Sequence, residues 1–174
     1  SRRARRRAQL PVLSLVGYTN AGKSTLFNRI TTSEVYAADK LFATLDPTLA
    51  RVEIQHLGPV LFADTVGVIS DLPTTLVAAF KATLEETANA SLLLHVVDVS
   101  ANNRDELMAD VESVLGEIQA DGLPQLVVFN KLDLLEQPPR ILRNESGTPT
   151  AVYLSSATGE GVDLLFDAIR ERLS

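Results

Sequence analysis

Gly17-Tyr18-Thr19-Asn20-Ala21-Gly22-Lys23-Ser24 stands between an apolar run, Val12, Leu13, Leu15 and Val16, and the helically spaced Leu26, Phe27 and Ile30. The first run reads as a buried strand and the second as an amphipathic helix. The loop between them follows the pattern GxxxxGK[ST], and each part of that spacing has a use. Glycines let the backbone wrap closely, so that its N–H groups point at phosphate oxygens. The helix that begins there, with Thr25 in its first turn, adds a partial positive charge at its N-terminus. Lys23 can reach β- and γ-phosphates, and the Ser24 hydroxyl suits Mg²⁺.

The rest of the chain extends this strand-loop-helix unit. Ala50, Val52 and Ile54 alternate with Arg51, Glu53 and Gln55, which predicts a half-exposed edge strand. A turn expected at Leu57-Gly58-Pro59 leads into Val60 to Ala63, making an antiparallel hairpin. Leu76, Phe80 and Leu84 mark a helix, and Leu107, Val111, Val114, Leu115 and Ile118 another. Val162, Leu165, Phe166, Ile169 and Leu173 mark the last. Leu92 to Val97, Gln125 to Phe129 and Val152 to Leu154 read as strands. Runs that are apolar on both faces suit a sheet covered by helices on both sides. The expected architecture is an α/β three-layer sandwich with a mostly parallel six-stranded sheet, built around the P-loop unit. Residues 32–47 read as a loop. Between Glu136 and Thr150, three prolines and Gly147 leave room for a short helix at most.

Further motifs fall where strands end, the place where such sheets bind ligands. Asp64-Thr65-Val66-Gly67 follows the strand ending at Ala63. A carboxylate there can hold Mg²⁺ through its hydration shell, and Gly67 lets a backbone N–H approach the γ-phosphate. The unpatterned loop carries Phe42-Ala43-Thr44-Leu45-Asp46-Pro47-Thr48. A threonine here completes Mg²⁺ coordination and orders the loop in the triphosphate state. Spacing does not choose between Thr44 and Thr48. Asn130-Lys131-Leu132-Asp133 names the base. The Asp133 carboxylate has only acceptors, matching the N1–H and 2-amino donors of guanine. Adenine would set a lone pair against it, a mismatch that rejects strongly. Asn130 can bridge to the phosphate loop and bond the base's other edge, and the Lys131 stem can cover the ring. Ser155-Ser156-Ala157 offers backbone N–H groups to the guanine 6-oxo group. These motifs predict a GTP or GDP site, and their order resembles that of the small-GTPase superfamily, which implies a P-loop small-GTPase-like fold.

Composition bounds the alternatives. The 174 residues, 45% apolar, suit one compact domain and argue against disorder. With no cysteine, disulfides and thiolate chemistry are excluded. No apolar run is long enough to cross a bilayer, and no apolar h-region follows the basic start. A cytoplasmic monomer without a membrane anchor is expected. The net charge of −6 conceals Arg2, Arg3, Arg5, Arg6 and Arg7, without which 11 basic residues face 22 acidic ones. Residues 1–10 read as a basic linker remnant and 11–174 as the GTP-binding domain. The initial Ser suggests a piece of something longer. His56 and His95 are too few and too scattered for a metal site, and Asp98, at a strand end, reads as a plain loop carboxylate.

Three stretches go beyond the general motifs: GYTNAGKSTLFN at 17–28, LFATLDPTL at 41–49 and DTVG…LPTTLVAAFKATLEE at 64–86. They resemble the HflX family of ribosome-associated GTPases. The resemblance implies that Phe42 to Asp46 line the nucleotide, and that Thr44 is the Mg²⁺ ligand. It implies the large ribosomal subunit as partner, and splitting of ribosomes under stress. Members usually carry a bulky aromatic residue after the glycine of DTVG, where this chain has Val68. Many GTPases place there a glutamine that orients the attacking water, so slow intrinsic hydrolysis is expected. In potassium-activated GTPases an asparagine at the position of Asn20 helps to hold K⁺, which would stabilise charge as an arginine finger does. Other readings stay open: a GTP/GDP-sensing module that hardly hydrolyses, and RNA contact through the arginine arm.

Overall fold

The structure, a computed structural model, describes residues 10–34, 49–64, 90–117 and 122–174. Seven strands form one sheet in the order β2-β3-β1-β4-β5-β7-β6. They are β1 Val12–Val16, β2 Leu49–Ile54, β3 Gly58–Asp64, β4 Leu92–Asp98, β5 Gln125–Asn130, β6 Arg140–Arg143 and β7 Pro149–Tyr153. The described helices are α1 Lys23–Glu34, α2 Arg104–Glu117 and α3 Val162–Leu173. The five strands from β3 to β7 along the sheet pair in parallel; β2 and β6 close the two edges antiparallel.

Side-chain parity divides the layers. Leu92, Leu94 and Val96 of β4 share a core with Leu26 and Ile30 of α1 and Leu165 and Ile169 of α3. Between them on the strand, His95 points to the opposite face, where Glu112 of α2 lies. Helices therefore cover both faces, as the doubly apolar strands predict. Each large aliphatic chain buried in this core contributes about 1.5–3 kcal/mol.

Two local expectations are corrected. The sheet has seven strands, not six, because Arg140–Arg143 pairs with β7 where a short helix was allowed. Asn144 builds that hairpin turn: its Oδ1 accepts from Ser146 N (2.9 Å) and Thr148 N (3.0 Å). An Asn side chain that copies a backbone turn competes with helix, while the flanking arginines hide any strand alternation. The first hairpin turns at Gln55–Leu57 rather than 57–59, with His56 at φ 68° and Gly58 already opening β3. The expected helix around Leu76, Phe80 and Leu84 lies outside the described residues.

Candidate nucleotide site

Register brings the motifs together. Leu15 stands beside Asp64, Val16 beside His95, and Asp98 beside Asn130, so β1, β3, β4 and β5 end along one edge. The phosphate loop leaves β1 there at Gly17, where an added Cβ would meet the Val96 carbonyl at 2.4 Å. A 3-10 turn over Thr19–Ala21 follows, and Gly22 (φ 86°) swings the chain into α1. Only a residue without Cβ takes that turn at low cost. The first turn of α1 leaves backbone N–H groups without helical acceptors, as every helix start does.

Lys23 is buried, and its ammonium pairs with the Asp64 carboxylate. Ser24 Oγ donates to the other Asp64 oxygen at 3.2 Å. Three groups from two motifs 40 residues apart thus meet at one point. A hydroxyl and a carboxylate side by side are hard oxygen donors, a set that fits Mg²⁺, which takes few protein ligands and retains waters and phosphates. Tyr18 Oη donates to Asp110 Oδ2 of α2 (2.7 Å), tying the loop to the opposite layer.

At the base end, Lys131 takes a left-handed conformation (φ 67°) and a 3-10 turn carries Asp133 to the surface. Ser155 Oγ donates to Asp133 Oδ1 (2.8 Å). Lys131 Nζ lies 3.4 Å from Asp98 Oδ2. Burial works against the Asp98 carboxylate, but hydrogen bonds from Ser100 and the Lys131 ammonium outweigh it and hold its pKa below the usual value. Asp98 is therefore more than a loop carboxylate: it holds the lysine of the base motif.

Asn130 is fully buried and joins three loops. Its Nδ2 donates to Ala21 O (2.9 Å) and Ser156 Oγ (3.0 Å), and its Oδ1 accepts from Ser156 N (2.9 Å). The bridge to the phosphate loop is present, but these bonds leave neither Nδ2 hydrogen for the base. Of the three N–H groups expected to meet a 6-oxo group, that of Ser155 goes to Glu160 O and that of Ser156 to Asn130. Among the described residues, only the Ala157 N–H of the three has no acceptor within the protein.

Thr44 and Gly67 lie outside the described residues, as do Phe42, Ala43, Leu45, Asp46, Thr65, Val66, Val68 and the arginine arm. Sequence reasoning passed over Arg29, Asp110 and the positioning role of Asp98. Each acts through a fold-made contact that leaves no spacing signal.

A family model described as 50S ribosome-binding GTPase matches residues 12–131. The chain belongs to this family. The chain is similar to the GTPase HflX of Escherichia coli strain K12, 56% identical over 174 residues, 99% of this chain and 41% of that protein. It is also similar to the GTPase HflX of Caldanaerobacter subterraneus, at 46% over 172 residues, 99% of this chain and 39% of that protein. The likeness expected from the three motif stretches therefore extends along the chain, which spans about two fifths of the length of these relatives. Among solved structures, a GTP-binding protein from Sulfolobus solfataricus in complex with GDP superposes with a TM-score of 0.71 at 26% identity. The match covers 94% of this chain and 52% of that one. The FeoB G-domain of Methanococcus jannaschii shares the fold, with a TM-score of 0.63 at 24% identity over 95% of this chain and 98% of that one.

Proposed function

We propose that this domain binds GTP with Mg²⁺, hydrolyses it slowly to GDP and phosphate, and acts as a monomeric cytoplasmic switch on the large ribosomal subunit. The observation that carries the reading is the meeting of Lys23, Ser24 and Asp64 at one end of a frame whose other end, Asp133 and Ser155, is fixed to it through Asn130. Phosphate and base recognition share one rigid edge. The family's description as ribosome-binding supports the partner. Splitting of ribosomes under stress is carried by the resemblance.

In the reaction, water oxygen bonds to the γ-phosphorus as the bond from phosphorus to the β–γ bridging oxygen breaks. The water protons end on the phosphate and solvent. Lys23 and the N–H groups of Gly17 to Thr25 stabilise charge on the β- and γ-oxygens. Ser24, Thr44 and, through water, Asp64 would hold Mg²⁺, which would neutralise that charge. Gly67 offers its N–H to the γ-phosphate, and Phe42 to Asp46, with Thr65 and Val66, line the nucleotide. Asp133 and Lys131 select and cover guanine. Asn20, exposed on the 3-10 turn, is assigned to a K⁺ that takes the place of an arginine finger. Val68 favours a second reading, a sensor of GTP and GDP with negligible turnover, because its side chain cannot orient water.

Steady-state turnover with Mg²⁺ in matched KCl and NaCl tests these assignments. Faster hydrolysis in KCl, lost in Asn20→Ala, is expected. Equal rates would remove the cation, no turnover with retained GTP binding would favour the sensor, and a preference for ATP would overturn the nucleotide assignment.

A further inference from the structure

Arg29 sits on α1, seven residues beyond the turn glycine that admits the chain to the helix, yet its guanidinium reaches the base loop. Its Nε donates to the Ser156 carbonyl (3.1 Å) and its Nη2 to the Ala157 carbonyl (2.7 Å). The approach needs space on the far side of the loop, and Gly159 leaves it: a Cβ there would stand 3.2 Å from Nη1. Besides its bonds to Asn130 and Asp133, the loop is closed by bonds of its own. Ser155 N donates to Glu160 O, Gly159 N to Ser155 O, and Thr158 N to Ser155 Oγ.

The peptide joining Ser156 to Ala157 is planar and trans, so its C=O and N–H point in opposite directions. A cation fixed on the Ser156 carbonyl therefore also fixes the Ala157 N–H, which of the three N–H groups of Ser155, Ser156 and Ala157 is the one without an acceptor in the protein among the described residues. Polarisation through the same peptide makes that N–H a better donor. We infer that Arg29 is a positioning residue for guanine specificity: from the phosphate-loop helix, it holds the Ser156–Ala157 peptide so that the Ala157 N–H donates to the 6-oxo group. This rests on the guanine-nucleotide reading above. It would make the two ends of the site communicate through a side chain as well as through Asn130.

The test compares three ligands by calorimetry on the 174-residue chain: GDP, IDP and 6-thio-GDP. IDP keeps the 6-oxo group and lacks the 2-amino group; 6-thio-GDP keeps the N1–H and the 2-amino group and carries a thione, a weak acceptor, in place of the oxo group. Arg29→Gln is expected to weaken GDP and IDP by about tenfold each, the size of one charge-supported hydrogen bond. It should change binding of 6-thio-GDP by less than about threefold, because the thione gains little from that N–H. Arg29→Lys, which keeps the charge and one donor, should fall between Arg29→Gln and the unmodified chain. Equal weakening of all three ligands would show a merely structural arginine and overturn the inference, as would no change in any. An unmodified chain that binds GDP no better than ADP would sink the nucleotide reading itself, and this inference with it.

Discussion

Single residues here are set by what surrounds them more than by their type. Lys23, almost without exposure, has its side-chain nitrogen paired with the Asp64 carboxylate, the kind of partner that a buried ammonium requires. His95 shows the opposite solution. It is buried on the central strand, and burial lowers its pKa to about 4. Glu112 lies 3.9 Å from its Nδ1, yet desolvation dominates, so the contact is no ion pair at neutral pH. The unfolded chain takes up a proton at this histidine near pH 6.5 while the folded chain does not. The stability it confers is therefore complete above about 6.5, falls as pH drops toward about 4, and is flat below. About 2 kcal/mol should be lost by pH 5 on this account. Urea unfolding at pH 7.5 and 5.0 measures it, and His95→Leu should remove most of that pH-dependent loss. A variant losing as much stability as the parent would refute the assignment.

At the scale of elements, the site is a meeting of strand ends held by short loops. Gly22 shows how tightly they fit, since a Cβ there would lie 2.4 Å from Asn130 Nδ2 in addition to occupying a left-handed φ. Gly22→Ala should displace the carboxamide that joins the phosphate loop to the base loop. A loss of about 2–4 kcal/mol of stability is expected, combining backbone strain with buried polar groups left unpaired. GDP affinity should fall by at least about tenfold with it. Denaturant unfolding and a GDP titration report the two effects, and an unaffected titration would show that the loops do not depend on each other. The antiparallel edges belong to the same scale. β2 repeats its apolar alternation in every buried position, whereas β6 is short, with arginines at both ends, and is held by the Asn144 turn.

For the whole molecule, a ligand gripped by both ends of one edge couples binding to folding. GDP at a hundred times its Kd should add about 2.7 kcal/mol to stability. For a domain of this size that raises Tm by about 5–10 °C. Thermal unfolding with GDP and with ATP at equal excess checks it; a matching shift with ATP would contradict the base assignment. The acidic body, 11 basic against 22 acidic residues once the five N-terminal arginines are set aside, repels polyanions at long range. On the proposed ribosomal partner, contact through a defined face or the arm is then required, because general attraction is absent. No helix among the described residues is long and apolar enough to cross a membrane.

By itself the sequence determined the strand-loop-helix at 12–30, the parallel α/β order and the placing of Lys23, Ser24, Asp64, Asn130 and Asp133 at or just beyond strand ends. Those features are local: they depend on periodicity, on glycines at fixed offsets and on functional groups that must follow a strand. Tertiary structure alone decided the seventh strand and the spending of both Asn130 Nδ2 hydrogens on Ala21 and Ser156. It also made Asp98 the partner of Lys131, and carried Arg29 across 127 positions to the Ser156 carbonyl. Such contacts arise where strand ends far apart in sequence are packed edge to edge, and a hydrogen bond between them leaves no period along the chain for a reader of sequence to find.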